Sequence, residues 1–194
     1  MGGTFDPPHN GHIAIAEQAM RQLGLECVYF IPAYIPPHKQ QSSSTTAHHR
    51  LNMMKVAVRG KKELKVSPIE LQRRGVSYTV DTLKTFKKRF PNNELVLILG
   101  ADNLLQFHSW KSPKTILQLA SLAVYKRKGF HRALNTSSLT YRVLKGPLLR
   151  FSSTEIRKRI ARGLSIHAFV PTSIVHYIKQ HSLYLKPTLN SQKR

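Results

Sequence analysis

Two histidines three residues apart, His9 and His12, close the run Gly2-Gly-Thr-Phe-Asp-Pro-Pro-His-Asn-Gly-His12. They sit where a helix should begin, because Ile13, Ala16, Ala19, Met20 and Leu23 recur at helical spacing from about Ile13 until Gly24. Pro7 to Gly11 therefore reads as a turn entering a helix. The first amides of a helix and the positive end of its dipole favour an anion, and Gly2, Gly3 and Gly11 let the backbone approach one with no Cβ in the way. Two imidazoles add donors to phosphate oxygens and, when protonated, offset charge building on an α-phosphate or a departing pyrophosphate. The chemistry is phosphate binding, although a bare His-x-x-His pair also suits a metal or two surface side chains.

The elements that must hold these residues alternate. After the first helix come a strand Val28 to Ile31, a helix Ala47 to Val58 and a strand Leu64 to Val66. A helix Thr79 to Phe90 and a strand Leu95 to Leu99 follow. Such alternation predicts an α/β fold of parallel strands with crossover helices. Leu95 to Leu99 is apolar on both faces, as a central parallel strand is, and it delivers Gly100 and Asp102 to the edge where such sheets bind ligands. A last strand, Leu122 to Tyr125, precedes a variable stretch and helices from Ser153 and Thr172, the latter in a C-terminal segment, Val170 to Tyr184, that closes the sheet. Ser152 to Glu155 has the spacing of a capping box, so a second helix N-terminus starts there; capping accounts for Ser152 and Glu155 but not for Arg157.

The chain has 194 residues with 41% hydrophobic content, which suffices for one domain, residues 1–185, followed by a polar tail from Lys186. The lone cysteine, Cys27, reads as a small buried hydrophobe and implies a reducing, cytoplasmic setting. No run approaches the ~18 apolar residues of a membrane span, and the N-terminus is not a signal peptide. No Walker A loop or Gly-x-Gly-x-x-Gly occurs.

The first motif resembles the signature of the nucleotidylyltransferases with a His-x-Gly-His motif, in the form found in the branch that joins nicotinate mononucleotide to ATP. Ile31 to Lys39 (IPAYIPPHK), Arg73 to Leu83 (RRGVSYTVDTL), Gly100 to Trp110 (GADNLLQFHSW), Phe151 to Arg157 (FSSTEIR) and Val170 to Tyr184 match further blocks of that family in the same order. The resemblance implies a Rossmann-like doubly wound parallel sheet with a small C-terminal helical part. It implies transfer of AMP from ATP to nicotinate mononucleotide, with release of nicotinate adenine dinucleotide and pyrophosphate, as a step of NAD biosynthesis. His9, His12 and Arg157 are then the catalytic groups, and Gly3, Thr4, Phe5, His12, Gly100, Ser153, Thr154 and Arg157 bind ATP. Lys39 meets the mononucleotide phosphate, Tyr78 and Thr79 the nicotinate carboxylate, Asp102 the ribose hydroxyls, and Trp110 stacks on the pyridine ring. Mg2+ accompanies ATP and keeps most of its waters, with no protein metal cage. Transfer to nicotinamide mononucleotide, or to both acceptors, stays open at this point; a phosphopantetheine acceptor would need neither Trp110 nor Ser77 to Thr79.

Two features depart from that pattern. Family members carry a short apolar strand before the first motif, whereas here the motif starts at Met1, so a mid-sheet strand is expected to be missing and the natural protein to begin upstream. Each buried aliphatic side chain lost with it removes about 1.5 to 3 kcal/mol. The second is charge: 31 Lys plus Arg against 9 Asp plus Glu gives +22. The basic runs Lys87 to Arg89, Lys126 to Lys128 and Lys193–Arg194 are short and scattered. They fit weak, non-specific nucleic-acid association better than a dedicated nucleic-acid function, the rival to the enzyme. Self-association into a homo-oligomer also stays open.

Overall fold

The computed structural model describes residues 1–37, 44–125, 139–146 and 151–185. The expected alternation is present: β1 (Gly2–Gly3), α1 (Asn10–Leu23), β2 (Val28–Pro32), α2 (Ala47–Ala57), β3 (Leu64–Val66), α3 (Ile69–Arg73) and α4 (Thr79–Arg89) come first. They are followed by β4 (Val96–Gly100), α5 (Ala101–Leu105), α6 (Pro113–Leu119), β5 (Ser121–Tyr125), β6 (Tyr141–Leu144), α7 (Ser153–Ala161) and α8 (Thr172–Gln180). A single 3-10 turn, Phe107–Ser109, links α5 to α6. All strand pairs are parallel, which makes this the doubly wound α/β architecture.

The sheet is split. β1, β2 and β3 pair in that order, β4, β5 and β6 form a second ladder, and no hydrogen-bonded strand joins β1 to β4 among the described residues. At the position of the expected missing strand the described chain has a two-residue strand: Gly2 and Gly3 pair with Ile31 and Pro32, and Met1 continues the pairing along β2 by accepting the Ile31 N–H at 3.0 Å. The double-sided apolar pattern of β4 predicts a central strand, but among the described residues β4 is the edge of its ladder and β5 takes the middle. The two halves still share one core. Ile98, Ala123 and Leu144 join Ile13, Phe30, Met54 and Ile174 in one cluster. α8, with Ile174, Val175 and Ile178 buried, packs against α2 and so closes the N-terminal half rather than the whole sheet.

The chain end lies inside this gap. The Met1 ammonium donates to the Tyr29 carbonyl at 2.9 Å, and burial pushes its pKa down from 8.0 to about 5, against the attraction of Glu70.

Four short elements escape the sequence reading: α3, α5, α6 and β6. Strand formation does not end at Tyr125, since Tyr141–Leu144 pairs alongside β5. Each is too short to show a period, and β6 is largely exposed. Cys27 is half-buried just before β2 rather than buried within it. No described helix is long and apolar enough to cross a membrane.

Candidate active site

The carboxyl ends of β1, β2 and β4 open onto one cavity of about 1310 Å³ that continues into the gap between the half-sheets. Its walls include nearly every residue singled out by sequence. Gly3, Thr4, Phe5, His9, His12, Ser153, Thr154 and Arg157 line one end, and Gly100, Asp102, Tyr78, Thr79 and Trp110 line the other. Lys39 lies outside the described residues.

The first motif loop is fixed through its carbonyl groups. Arg50 Nη1 donates to the Thr4 carbonyl at 3.0 Å, Arg157 Nη1 to that of Asp6 at 2.6 Å, and Ser153 Oγ to that of Pro7 at 2.8 Å. Three side chains from two helices, α2 and α7, thus grip one loop, and the start of α7 is bonded directly to the loop that enters α1. Gly3 is required here, because a Cβ would lie 2.9 Å from the Phe5 ring.

His9 is the residue before α1 and is buried at 4% exposure. Its backbone N–H donates to Nδ1 of His12 at 3.2 Å, and the two rings stack with centroids 3.6 Å apart and planes within 16°. Accepting at Nδ1 leaves the His12 proton on Nε2, the nitrogen available as a donor to a phosphate. Phe5 meets the His12 ring edge-on and Phe151 the His9 ring, so both imidazoles are held by aromatic walls. One expectation is corrected. The first amides of α1 are not all free for an anion, since Asn10 N–H bonds the Phe169 carbonyl and His12 N–H that of His9. Anion contact at this motif therefore falls more on the imidazoles than the helix start suggested.

α7 begins as its sequence predicts. Ser152 Oγ accepts from Glu155 N–H at 3.3 Å, Ile156 is fully buried, and Arg157 Nη2 reaches Thr154 Oγ1 at 3.3 Å. Burial of Ile156 fixes the rotation of the helix, which leaves Ser153, Thr154 and Arg157 on the cavity.

At the other end, Gly100 ends β4 against Asp102. A Cβ there would collide with Oδ1 of Asp102 and come within 3.3 Å of the Tyr125 ring. Trp110 packs on Phe107 with centroids 5.4 Å apart, and its Nε1 is buried with no acceptor among the described residues. Tyr78 precedes α4 and Thr79 is its first residue. A buried network sets this helix start: Thr82 Oγ1 donates to Glu70 at 2.7 Å and accepts from Arg73 Nη2 at 3.2 Å, while Ser77 Oγ accepts the Tyr34 N–H at 2.9 Å. Burial pushes the Glu70 carboxyl up from its ordinary value, with the Thr82 and Ser77 hydroxyls opposing.

Three supporting residues escaped the sequence reading. Arg50, 1% exposed, bonds the carbonyls of Thr4, Ala33 (2.6 Å) and Tyr34 (3.1 Å). Burial pulls its pKa below the ordinary value, with Asp6 the foremost opposing attraction. Asp6 accepts from Ser44 N–H and Thr45 Oγ1, both at 2.7 Å, and from the Tyr184 hydroxyl at 2.8 Å, whose ionisation burial suppresses. Glu70 is the third. Their one sequence sign is a charged residue set among apolar ones, as Arg50 is before Leu51, Met53 and Met54; that sign does not say what the charge contacts. Among the described residues no group of three or more His, Cys, Asp or Glu is placed to hold a metal ion.

Residues 1–159 match the family described as cytidylyltransferase-like. A protein of Exiguobacterium sibiricum named a probable nicotinate-nucleotide adenylyltransferase is 42% identical over 95% of this chain and 96% of its own length. The Bacillus subtilis nicotinate-nucleotide adenylyltransferase is 37% identical over 94% and 95% of the two chains. Among solved structures, a Plasmodium falciparum nicotinic acid mononucleotide adenylyltransferase complexed with NaAD superposes with a TM-score of 0.77 at 22% identity, covering 94% of each chain, a likeness of fold.

Proposed function

Because the chain belongs to the cytidylyltransferase-like family, we infer that it transfers AMP from ATP to nicotinate mononucleotide, forming nicotinate adenine dinucleotide and pyrophosphate in NAD biosynthesis. The observation that carries this reading is the single cavity that joins the stacked His9–His12 pair and Arg157 at one end to Trp110 and the α4 start at the other.

In this reading a 5'-phosphate oxygen of the mononucleotide attacks the α-phosphorus of ATP. A P–O bond forms there, the bond to the β-phosphate oxygen breaks, and pyrophosphate leaves with the electron pair. The attacking phosphate is already anionic at neutral pH, so no side chain need act as nucleophile or strong base. His9 and His12 both bind the α-phosphate and stabilise the charge that builds there, His12 with Nε2 as donor and the two rings stacked on each other. Ser153, Thr154 and Arg157 bind the β- and γ-phosphates, Arg157 with a planar fork that grips two oxygens. Gly3, Thr4, Phe5 and Gly100 lie against ATP, and Asp102 holds the ribose hydroxyls of the mononucleotide. Trp110 stacks on the pyridine ring, while Tyr78 and Thr79 receive its carboxylate and Lys39 the mononucleotide phosphate. Mg2+ would accompany the ATP phosphates, held by substrate oxygens and water, and would neutralise triphosphate charge.

The test is a chromatographic assay of purified protein with Mg-ATP and nicotinate mononucleotide. Dinucleotide and pyrophosphate in equal amounts are expected; folded protein that yields neither overturns the assignment. The +22 charge supports a second, weaker property, non-specific binding of nucleic acid. Its mark is an affinity that collapses as salt is raised, and salt-independent binding would contradict it.

A further inference from the structure

Nicotinate and nicotinamide mononucleotides differ by one charge, so a cation near the pyridine substituent discriminates between them in addition to any hydrogen-bond donors there. Lys111 is placed to provide it. It follows Trp110 directly, lines the same cavity, and holds its Nζ 4.4 Å from the Tyr78 ring centroid and 3.2 Å from Asp81 Oδ2. Tyr78 immediately precedes α4, and Asp81 is the acidic residue of that helix's first turn. The ammonium thus ties the residue after the Trp110 platform to Tyr78 and Asp81 at the start of α4. It is 48% exposed at the side chain, and Asp81 33%.

We propose that Lys111 is a specificity-determining residue that favours a pyridine carboxylate over a carboxamide, with Asp81 tempering it. The proposal rests on the reading that the pyridine ring lies at Trp110 with its substituent toward the α4 start. Asp81 is drawn to this position by the helix dipole, yet unneutralised it would repel a second carboxylate arriving at the same turn. Lys111 cancels that repulsion. The remaining charged groups at this helix start face Thr82: Glu70 accepts its hydroxyl and Arg73 donates to it. The two partners of the exposed pair therefore act in opposite directions on the same substrate. A purely structural role for the ion pair does not, because removal of either partner breaks the same bond.

The experiment measures kcat/KM for both mononucleotides at saturating Mg-ATP for the wild-type chain, Lys111→Met, Asp81→Asn and the double variant. At low salt Lys111→Met is expected to lower the acid-to-amide ratio about fivefold, Asp81→Asn to raise it about twofold, and the double variant to return near wild type. High salt should shrink both single-variant differences, since the pair is solvent-screened. The KM for ATP stays unchanged throughout. An unaltered ratio in Lys111→Met, or a shift of the same sign in both single variants, overturns the proposal while dinucleotide formation by the wild type upholds the reading beneath it. Failure of folded wild-type protein to use either mononucleotide overturns both.

Discussion

The two half-sheets reach order by different means. The C-terminal half is built on its ladders, five register pairs between β4 and β5 and four between β5 and β6. The N-terminal half has two pairs between β1 and β2 and three between β2 and β3. It compensates with side chains: Arg50, Arg157 and Ser153 take the carbonyl groups of the motif loop, and Asp6 collects three donors. The His9–His12 end of the cavity is consequently pre-arranged by these bonds, whereas the Trp110 end leaves the Trp110 Nε1 buried without an acceptor among the described residues. Where strands are too short to define a loop, buried polar side chains do so, and each becomes costly to remove.

The sharpest way to break this comparison uses pH, because the chain end is buried in the N-terminal half alone. The Met1 amine has a folded pKa near 5, below its ordinary 8.0, so the unfolded chain binds the extra proton between those values. In a chain prepared to begin at Met1, stability should therefore rise as pH climbs from about 5 to 8, by on the order of 4 kcal/mol from this group. Glu70, pushed up by burial, opposes it: its contribution falls as pH rises through its raised folded value. Glu70→Gln should steepen the rise, and urea midpoints at several pH values check both. A flat profile would contradict burial of the amine.

Replacement of His12 by Ala removes the donor at the α-phosphate and should lower kcat/KM by about 10²–10³-fold, with little change in melting temperature. A loss below tenfold would remove His12 from the chemistry. Arg50→Met acts on the scaffold instead. It leaves three loop carbonyls without their partner and should cost about 3 kcal/mol, a drop of roughly 6–12 °C in melting temperature. If Arg50→Met melts like wild type, side-chain tethers are not what orders this half. The smallest effect belongs to the ladder-built half. Trp110→Phe keeps an aromatic face and gives up the unsatisfied N–H, so the KM for nicotinate mononucleotide should rise about threefold to tenfold with that for ATP unchanged.

The sequence by itself determined the alternation of elements, the first motif, the Ser152 cap and the delivery of Asp102 to the end of a strand; Trp110 was placed only by the family resemblance. The former follow from spacing or residue type within a few neighbours. Only tertiary structure decided that the sheet divides, that β4 is an edge and that Asn10 N–H is taken by Phe169. The same holds for Asp6, Arg50 and Glu70, whose partners lie 38, 46 and 12 residues away in the chain. A long-range hydrogen bond leaves no period in the sequence, because its geometry exists only once the packed core has brought distant segments together.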